Sequence, residues 1–297
     1  MMKIGIDLGG SKTEIAAFDE AGTELLRHRE PTPAGDYAAT LALIARLIGD
    51  AEQTIGTSAT IGIGTPGALS PSTGLMRNSN STCLNQQPFL IDVQRALGRD
   101  VRLANDANCF ALSEATDGAA AGAASVFGVI LGTGVGGGIV IDGKIIDGPN
   151  AITGEWGHNP LPWPQDSERP GALCYCGKHG CIETFLSGPG LSRDYAQAHG
   201  PSFSAAEIVA RSAREAAAEQ ALAHYENRLA RALASIINVL DPEVIVLGGG
   251  LSNVERLYKN IPALWGKWVF SDTVRTCLVR NQHGDSSGVR GAAWLWP

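Results

Sequence analysis

Three of the chain's six cysteines lie within the short segment Cys174–Cys181, whose sequence is CYCGKHGC. Thiolates at this spacing are typical ligands of a structural zinc ion, and a closed zinc site of this kind takes four ligands. On spacing alone, His179 inside the segment is the candidate for the fourth ligand. A reduced cluster without metal is the alternative interpretation. Cys83, Cys109 and Cys277 are scattered and are interpreted as ordinary core thiols.

Two glycine-rich segments, Asp7–Thr13 and Leu131–Gly138, have the composition of phosphate-binding turns. Glycine permits the dihedral angles and the close approach that let several backbone N–H groups point at one phosphate. One such turn alone is equally compatible with a tight hairpin, but two turns at matching positions in the two halves of the chain favour phosphate binding. The candidate phosphate-binding residues are Gly9, Gly10, Ser11 and Lys12 in the first turn, and Gly132, Thr133, Gly134, Gly136 and Gly137 in the second.

Two familiar nucleotide-binding motifs do not fit these turns. The spacing Gly132-x-Gly134-x-x-Gly137 matches a dinucleotide fingerprint, but here it leads into a predicted strand and not into a helix. Neither turn ends in the Gly-Lys-Ser/Thr of a P-loop after a four-residue spacer. A third glycine turn, Gly248–Gly250, runs from a predicted strand into a predicted helix. It either closes over the base and ribose of a nucleotide or caps that helix.

Two aspartates stand where predicted strands end. Asp7 lies at the first glycine turn, where its carboxylate could reach a phosphate-bound magnesium ion; capping the turn is the alternative role. Asp106, in the segment Asn105–Asn108, lies between a predicted strand and a predicted helix. It is either an N-cap or the base that takes the proton from an attacking hydroxyl. The phosphate turns favour the base, because transfer from ATP to an alcohol requires one.

The predicted helices and strands that position these residues form two α/β units with the same pattern. The predicted strands are Lys3–Asp7, Glu14–Phe18, Glu24–Arg29, Thr60–Gly64 and Val101–Ala104 in the first half, and Ser125–Leu131, Ile139–Asp142, Lys144–Ile146 and Val244–Leu247 in the second. The predicted helices cover residues 41–51, Cys109–Thr116, residues 222–240, Asn253–Leu264 and Gly284–Trp296. Two such sheets predict a ligand-binding cleft between two lobes, at the carboxyl ends of the strands.

Composition disfavours several other classes of protein. The 297 residues suffice for two lobes, and no apolar run approaches the roughly 20 residues of a membrane-spanning helix. A net charge of −7 disfavours binding to nucleic-acid phosphates, so neither a nucleic acid nor a membrane is an expected partner. The chain enters a strand directly after Met1 and Met2, without room for a signal peptide. A cytoplasmic, reducing location without disulfides is therefore expected.

Together these motifs resemble the ROK family of sugar kinases and repressors over essentially the whole chain. The motifs that carry the resemblance are Ile4–Lys12, Asn105–Asn108, Leu131–Gly134, Gly154–His158, Cys174–Cys181 and Leu247–Gly250. The resemblance implies an α/β, two-lobed, actin-like or hexokinase-like ATPase fold of duplicated RNase H-like domains with a zinc knuckle. It implies an N-terminal lobe of residues 1–117, joined by the C-terminal helix at 285–297, and a C-terminal lobe of residues 118–284.

The same resemblance implies roles for individual residues. His158, and not His179, becomes the fourth zinc ligand beside Cys174, Cys176 and Cys181, and its other ring nitrogen meets the sugar. The implied sugar site contains Gly67, Asn105, Asp106, Glu155, His158 and Glu183, with Asn80 and Asn85 as candidates for one further contact. Asp106 is the implied catalytic base, ATP with Mg²⁺ is the implied phosphoryl donor, and Zn²⁺ is structural. Asp7, the two phosphate turns and the loop Gly248, Gly249 and Gly250 are the implied nucleotide-binding residues, and a homodimer is expected.

Within the family, the resemblance is to bacterial fructokinases with side activity on mannose. It rests on Asn78–Asn85, Gly157–Trp163 and Gly288–Trp296. The expected reaction is ATP-dependent phosphorylation of D-fructose to D-fructose 6-phosphate, with mannose or glucose as further substrates. An N-acetylglucosamine kinase or a broad hexokinase is the alternative. A sugar-sensing repressor is disfavoured because no helix-turn-helix precedes Lys3, and a non-catalytic scaffold is disfavoured because Asp106 and both phosphate turns are present.

Overall fold

The first half of the chain builds a five-stranded sheet in the order β3-β2-β1-β4-β7. The structure, a computed structural model, describes residues 1–284 and 286–297. The strands of this sheet are β1 (Lys3–Leu8), β2 (Lys12–Phe18), β3 (Glu24–Pro31), β4 (Thr60–Thr65) and β7 (Arg102–Asn105), and β5 (Ala68–Leu69) pairs separately with β6 (Met76–Arg77). The helices are α1 (Tyr37–Ile55), α2 (Phe89–Leu97) and α3 (Asp106–Thr116). Strand β1 pairs antiparallel with β2 and parallel with β4. The two strands that flank the first phosphate turn and the strand before Gly67 therefore share one sheet.

The second half repeats this arrangement in the order β10-β9-β8-β11-β12. Its strands are β8 (Ser125–Leu131), β9 (Val135–Ile141), β10 (Lys144–Ile145), β11 (Val244–Gly248) and β12 (Cys277–Arg280). Its helices are α4 (Ile182–Leu186), α5 (Gly188–His199), α6 (Ala205–Arg211), α7 (Ala216–Leu240) and α8 (Arg256–Trp265). The central strand β8 pairs antiparallel with β9 and parallel with β11, as β1 does with β2 and β4. The predicted duplication of the α/β unit is therefore confirmed.

The last helix, α9 (Ser287–Ala293), packs against β1, β4 and α3 of the first half. The contact is close enough to require glycine. A Cβ on Gly5 would lie 1.9 Å from the carbonyl oxygen of Val289, and one on Gly291 would lie 1.7 Å from that of Cys109. These contacts support the proposal that the C-terminal helix belongs with the N-terminal lobe.

Several predicted boundaries were wrong. The second glycine turn was predicted to extend to Gly138, but β9 already begins at Val135. The third glycine turn does not lead directly into a helix, because a short 3-10 turn at Gly250–Asn253 precedes α8. Strand β12 and helices α2, α4, α5 and α6 were not predicted. Within the described residues, none of the helices is both long and apolar enough to cross a membrane.

Candidate active site

Asp106 is the first residue of α3, and the helix is capped by its neighbour. The side chain of Asn105 accepts a hydrogen bond from the Ala107 N–H at 2.9 Å, so the N-cap role that was weighed for Asp106 belongs to Asn105. Burial, with the charge of Glu155 acting in the same direction, raises the pKa of Asp106 to about 6, although the Ala107 N–H, which also donates to Asp106 Oδ1 at 2.7 Å, acts against this rise. Asn105, the residue before the predicted base, and the predicted sugar residue Glu155 line one cavity.

Asp7 lies in the same region of negative charge. Burial raises the pKa of Asp7 to about 7, and the charges of Asp106 and Glu14 add to this rise. Glu14 is itself paired with Arg29, whose Nε donates to it at 2.9 Å. A divalent cation near Asp7 and Asp106 would reverse the unfavourable effect of these like charges. The residues present thus fit the magnesium ion predicted at Asp7.

The first phosphate turn is compact and open to solvent. The Gly9 N–H donates to the Lys12 carbonyl at 3.0 Å, which closes the turn between β1 and β2. Gly10, Ser11 and Lys12 are exposed. Asn80 Oδ1 lies 3.8 Å from the position that a Cβ on Gly10 would take.

Hydrogen bonding distinguishes Asn80 from Asn85, the two candidates for an extra sugar contact. The amide of Asn85 makes two 2.9 Å hydrogen bonds with the backbone of Ser79, accepting from its N–H and donating to its carbonyl. Both polar atoms of the Asn85 side chain therefore stabilise its own loop. Asn80 is exposed beside the turn and remains the candidate for contact with a ligand.

The second phosphate turn is joined to the helix that carries Glu183. Glu183 Oε2 accepts a hydrogen bond from the Val135 N–H at 2.9 Å. It also lies 2.7 Å from the position of a Cβ on Gly134, so a larger residue at that position would displace it. Glu183, which was predicted to bind the sugar, thus also fixes the turn predicted to bind phosphate.

Gly136 and Gly137, both predicted to bind phosphate, lie within β9, where they pair with Ile130 and Val129. The indole N–H of Trp156 donates to the Gly136 carbonyl at 3.0 Å, and its ring would lie 2.9 Å from a Cβ on Gly137. Gly137 therefore makes room for Trp156, and the turn between β8 and β9 is formed by Gly132, Thr133 and Gly134.

The third glycine turn packs against the end of β8. Gly249 has a φ of 79°, and a Cβ there would lie 2.5 Å from the Leu131 carbonyl oxygen, so both backbone conformation and space require glycine. A cavity of about 250 Å³ adjoins this turn. It is lined by Gly249, Ser252, Asn253, Arg280, Asn281, Gln282 and Gly284. Residues 280–282 were missed from the sequence because β12, which leads to them, was not predicted.

The four predicted zinc ligands come together. His158 Nδ1 lies 3.5 Å from Cys174 Sγ, Cys176 Sγ lies 3.6 Å from Cys181 Sγ, and all four ligand atoms lie within 4.8 Å of one another. Zn–S bonds of about 2.3 Å in a tetrahedron place two sulfurs about 3.8 Å apart, so this donor set fits zinc. His179, the candidate from spacing alone, instead places its Nδ1 3.2 Å from the Gly171 carbonyl oxygen.

The other cysteines only partly follow the prediction of core thiols. Cys109 is buried, Cys83 is partly buried and Cys277 is exposed. Cys277 lies at the start of β12, an edge strand that the sequence pattern did not reveal.

The segment that contains Glu168, just upstream of the cysteines, is held to α7 by buried charges. Glu168 Oε1 accepts from Arg228 Nε at 2.8 Å and from Arg231 Nη2 at 2.7 Å. Glu168 and Arg231 are both buried, and the guanidinium of Arg228 also pairs with Asp194. Buried charges that are paired and hydrogen-bonded in this way define one arrangement of the segment against α7.

A cavity of about 190 Å³ lies between the loop after β4 and the loop before the 3-10 turn at Trp156–His158. Its polar lining includes Thr65, Asn105, Asn108, Asp147, Thr153 and Glu155. Among the described residues, Thr65 Oγ1 and Asn108 Oδ1 are buried without a hydrogen-bond partner. A buried polar atom without a hydrogen-bond partner lowers the stability of the folded protein unless a ligand or water supplies the bond. Thr65 was not singled out from the sequence, although a polar residue at the carboxyl end of β4 was a usable signal.

Gly67 lies in the loop that follows Thr65. Its φ is 84°, and a Cβ there would lie 2.4 Å from the Arg77 carbonyl oxygen. Asn105 Nδ2 donates to the Gly67 carbonyl at 3.3 Å. Gly67 and Asn105, both predicted to belong to the sugar site, are therefore adjacent at the ends of β4 and β7.

The two five-stranded sheets of matching topology, with Asp7 and Asp106 at strand ends, have the hexokinase-like fold of sugar kinases. The chain belongs to the ROK family, whose profile matches residues 3–297. It is 41% identical over 299 residues to an N-acetyl-D-glucosamine kinase from Photobacterium profundum and 40% identical over 299 residues to one from Vibrio cholerae, with 99% of each chain covered in both comparisons.

Two solved structures show the same fold. A ROK hexokinase from Thermus thermophilus superimposes with a TM-score of 0.88 at 31% identity, covering 99% of this chain and 97% of that chain. A ROK family glucokinase from Streptomyces griseus, in complex with glucose and AMPPNP, superimposes with a TM-score of 0.78 at 26% identity, covering 99% of both chains. The predicted family and the predicted hexokinase-like α/β fold are confirmed, whereas the zinc knuckle and the closeness to fructokinases stay predictions.

Proposed function

We propose that this sugar kinase transfers the γ-phosphoryl group of ATP to the primary hydroxyl of a hexose, with Asp106 as the base. The observation that carries the proposal is the position of Asp106 at the start of α3. There Asp106 follows β7, whose end pairs with the end of β4, and β4 pairs in turn with β1, which leads into the first phosphate turn. A sugar hydroxyl bound at the ends of β4 and β7 and a phosphate bound at the first turn would therefore both lie near Asp106.

In this proposal, Asp106 accepts the proton of the attacking hydroxyl as its oxygen bonds to the γ-phosphorus; the bond from that phosphorus to the β,γ-bridging oxygen breaks, and ADP leaves. The backbone N–H groups of Gly10 and Ser11, and those of Thr133 and Gly134, hold the phosphates, while the Gly132 N–H closes the second turn by donating to the Gly134 carbonyl at 3.0 Å. Asp7 would hold Mg²⁺, which supplies positive charge beside the phosphate oxygens. The cavity beside Gly249 takes the nucleoside. Gly67, Asn105, Glu155, His158 and Glu183 bind the sugar, with Asn80 as a further contact and with Thr65 and Asn108 available to its hydroxyls.

The proposed zinc site is structural. His158, Cys174, Cys176 and Cys181 would complete four-coordinate zinc, leaving no open position for a substrate. A metal on Nδ1 of His158 fixes the imidazole ring, because Nδ1 can no longer rotate away from the cluster. The second ring nitrogen, Nε2, is then presented in one direction toward the sugar.

The identity of the sugar has two candidates. The relatives named N-acetyl-D-glucosamine kinases support N-acetyl-D-glucosamine, which was the alternative in the sequence interpretation and now becomes the first candidate. D-Fructose is kept as the second candidate because Asn78–Asn85, Gly157–Trp163 and Gly288–Trp296 resemble segments of bacterial fructokinases.

A coupled assay of ADP release tests this proposal directly. The sugars to compare at equal concentrations are N-acetyl-D-glucosamine, D-fructose, D-mannose and D-glucose, each with ATP and Mg²⁺. We expect sugar-dependent ADP release, with the highest kcat/KM for one of the first two sugars. The ratio of those two values decides between the candidates, and the absence of release with all four sugars would contradict the proposal.

The pH dependence of the rate follows from the environment of Asp106. A base must be ionised to accept a proton, and burial has raised the pKa of this carboxyl to about 6. We therefore expect kcat/KM to be nearly constant above pH 7 and to fall with a limiting slope of tenfold per pH unit below about pH 6. Steady-state kinetics between pH 5 and 8, with protein integrity checked at each pH, measure this decrease in kcat/KM. A rate that stays constant down to pH 5 would be inconsistent with the assignment.

A further inference from the structure

Nε2 of His158, the nitrogen assigned to the sugar in the proposed function, has a protein partner. Tyr175 Oη lies 2.8 Å from His158 Nε2, and the two rings meet edge to face with centroids 4.9 Å apart. Because Nδ1 of His158 points at Cys174 Sγ, Nε2 is the nitrogen left for a ligand. The hydroxyl of Tyr175 therefore occupies the ring nitrogen of His158 that the proposed function assigns to a sugar hydroxyl. Tyr175 was not singled out from the sequence, although it lies between two predicted zinc ligands.

Little other than this hydrogen bond holds the Tyr175 side chain in place. The residue is 81% exposed, so its ring makes little packing contact beyond that with His158. Its backbone, by contrast, is fixed, since Cys174 N–H donates to the Lys178 carbonyl at 2.8 Å and Gly177 N–H donates to that of Cys174 at 2.9 Å. The side chain can therefore leave His158 by rotating about its own bonds, without movement of the cysteine cluster.

We propose that the Tyr175 hydroxyl competes with the sugar for His158 Nε2. It is hydrogen-bonded to this nitrogen until a sugar hydroxyl displaces it. This inference rests on the proposed sugar site. It makes Tyr175 a residue that sets sugar affinity by competition, and it assigns Tyr175 no part in proton or phosphoryl transfer. Each sugar that binds must break the bond between Tyr175 and His158 before it gains its own.

The variant Tyr175→Phe tests the proposal because it keeps the ring and removes only the hydroxyl. The net contribution of one such hydrogen bond corresponds to about a 2- to 10-fold change in an equilibrium constant. We expect the dissociation constant of the sugar, measured by calorimetry without ATP, to fall by about that factor, and kcat to change little. The sugar used is N-acetyl-D-glucosamine or D-fructose, whichever the wild-type protein phosphorylates.

Tyr37→Phe is the matched control, since it removes a tyrosine hydroxyl that donates to Asp92 at 2.9 Å on α2, outside the proposed site. The zinc content of both variants should equal that of the wild type, and Tyr37→Phe should leave the dissociation constant of the sugar unchanged. An unchanged or raised dissociation constant in Tyr175→Phe overturns the proposal; a raised value would mean that the hydroxyl itself binds the sugar. Failure of the wild type to bind either sugar would instead refute the proposed function.

A crystal structure of the sugar complex gives an independent readout. We expect Tyr175 Oη to lie more than about 3.5 Å from His158 Nε2, beyond hydrogen-bond distance, with a sugar oxygen in its place. A sugar-bound structure in which the bond between Tyr175 and His158 persists would overturn the inference.

Discussion

Replacing Asp106 with asparagine is expected to lower kcat for sugar-dependent ADP release by at least about 10²- to 10⁴-fold. Asparagine has nearly the same shape but cannot accept the proton of the sugar hydroxyl. Binding of ATP should survive, because Asp106→Asn removes a negative charge that is unfavourable to Asp7 and leaves the phosphate turns intact. Single-turnover kinetics measure the chemical step, and calorimetry with AMPPNP measures nucleotide binding.

Asp100→Asn provides the matched control. Asp100 is exposed and precedes β7, so it lies at the opposite end of the strand that leads to Asp106. The same chemical change there should leave kcat within about twofold, because surface substitutions away from special features have small effects. If Asp106→Asn retained most of the wild-type kcat, Asp106 would not be the base.

The second large effect is expected from Cys176→Ser. The wild-type protein should contain about one zinc ion per chain, and the variant should lose it because serine is a far weaker zinc ligand than a thiolate. Apparent zinc binding of about 10 kcal/mol or more is coupled to folding in small zinc sites, so the thermal melt should move to a clearly lower temperature. Cys176 is exposed, and the substitution therefore removes little packing.

Cys277→Ser separates loss of metal from loss of any thiol. Cys277 is also exposed, and it lies on β12 outside the cysteine cluster. Metal analysis and melting of this variant should match the wild type. If Cys176→Ser kept its zinc and its melting temperature, the knuckle would not be a zinc site.

Much of the arrangement was predictable from local patterns. Strands β1, β4, β8 and β11 are short apolar segments that end in glycine or polar residues, and they were located to within about two residues. Such strands are buried on both faces, so their sequences carry a strong local signal. The duplicated sheet order follows from recognising the same pattern twice.

Other features depend on contacts between distant segments and were not predictable from local patterns. Spacing pointed to His179, whereas the resemblance pointed to His158, and only the folded chain brings His158 Nδ1 to Cys174. Gly136 and Gly137 resemble a phosphate turn in sequence but lie within β9, where Gly137 makes room for Trp156. The edge strand β12 is half exposed and lacks an apolar pattern, so neither it nor the cavity beside it was found.

The closing of the first sheet by α9 has a consequence for biosynthesis. The Lys3 ammonium donates to the Trp296 carbonyl at 2.9 Å across 293 residues of chain, and the glycines of β1 and β4 lie directly under the helix. Domains commonly fold in order as they leave the ribosome. Here the first of the two sheets to be translated is the last that can be completed, because its glycine-lined face is covered only once α9 has emerged.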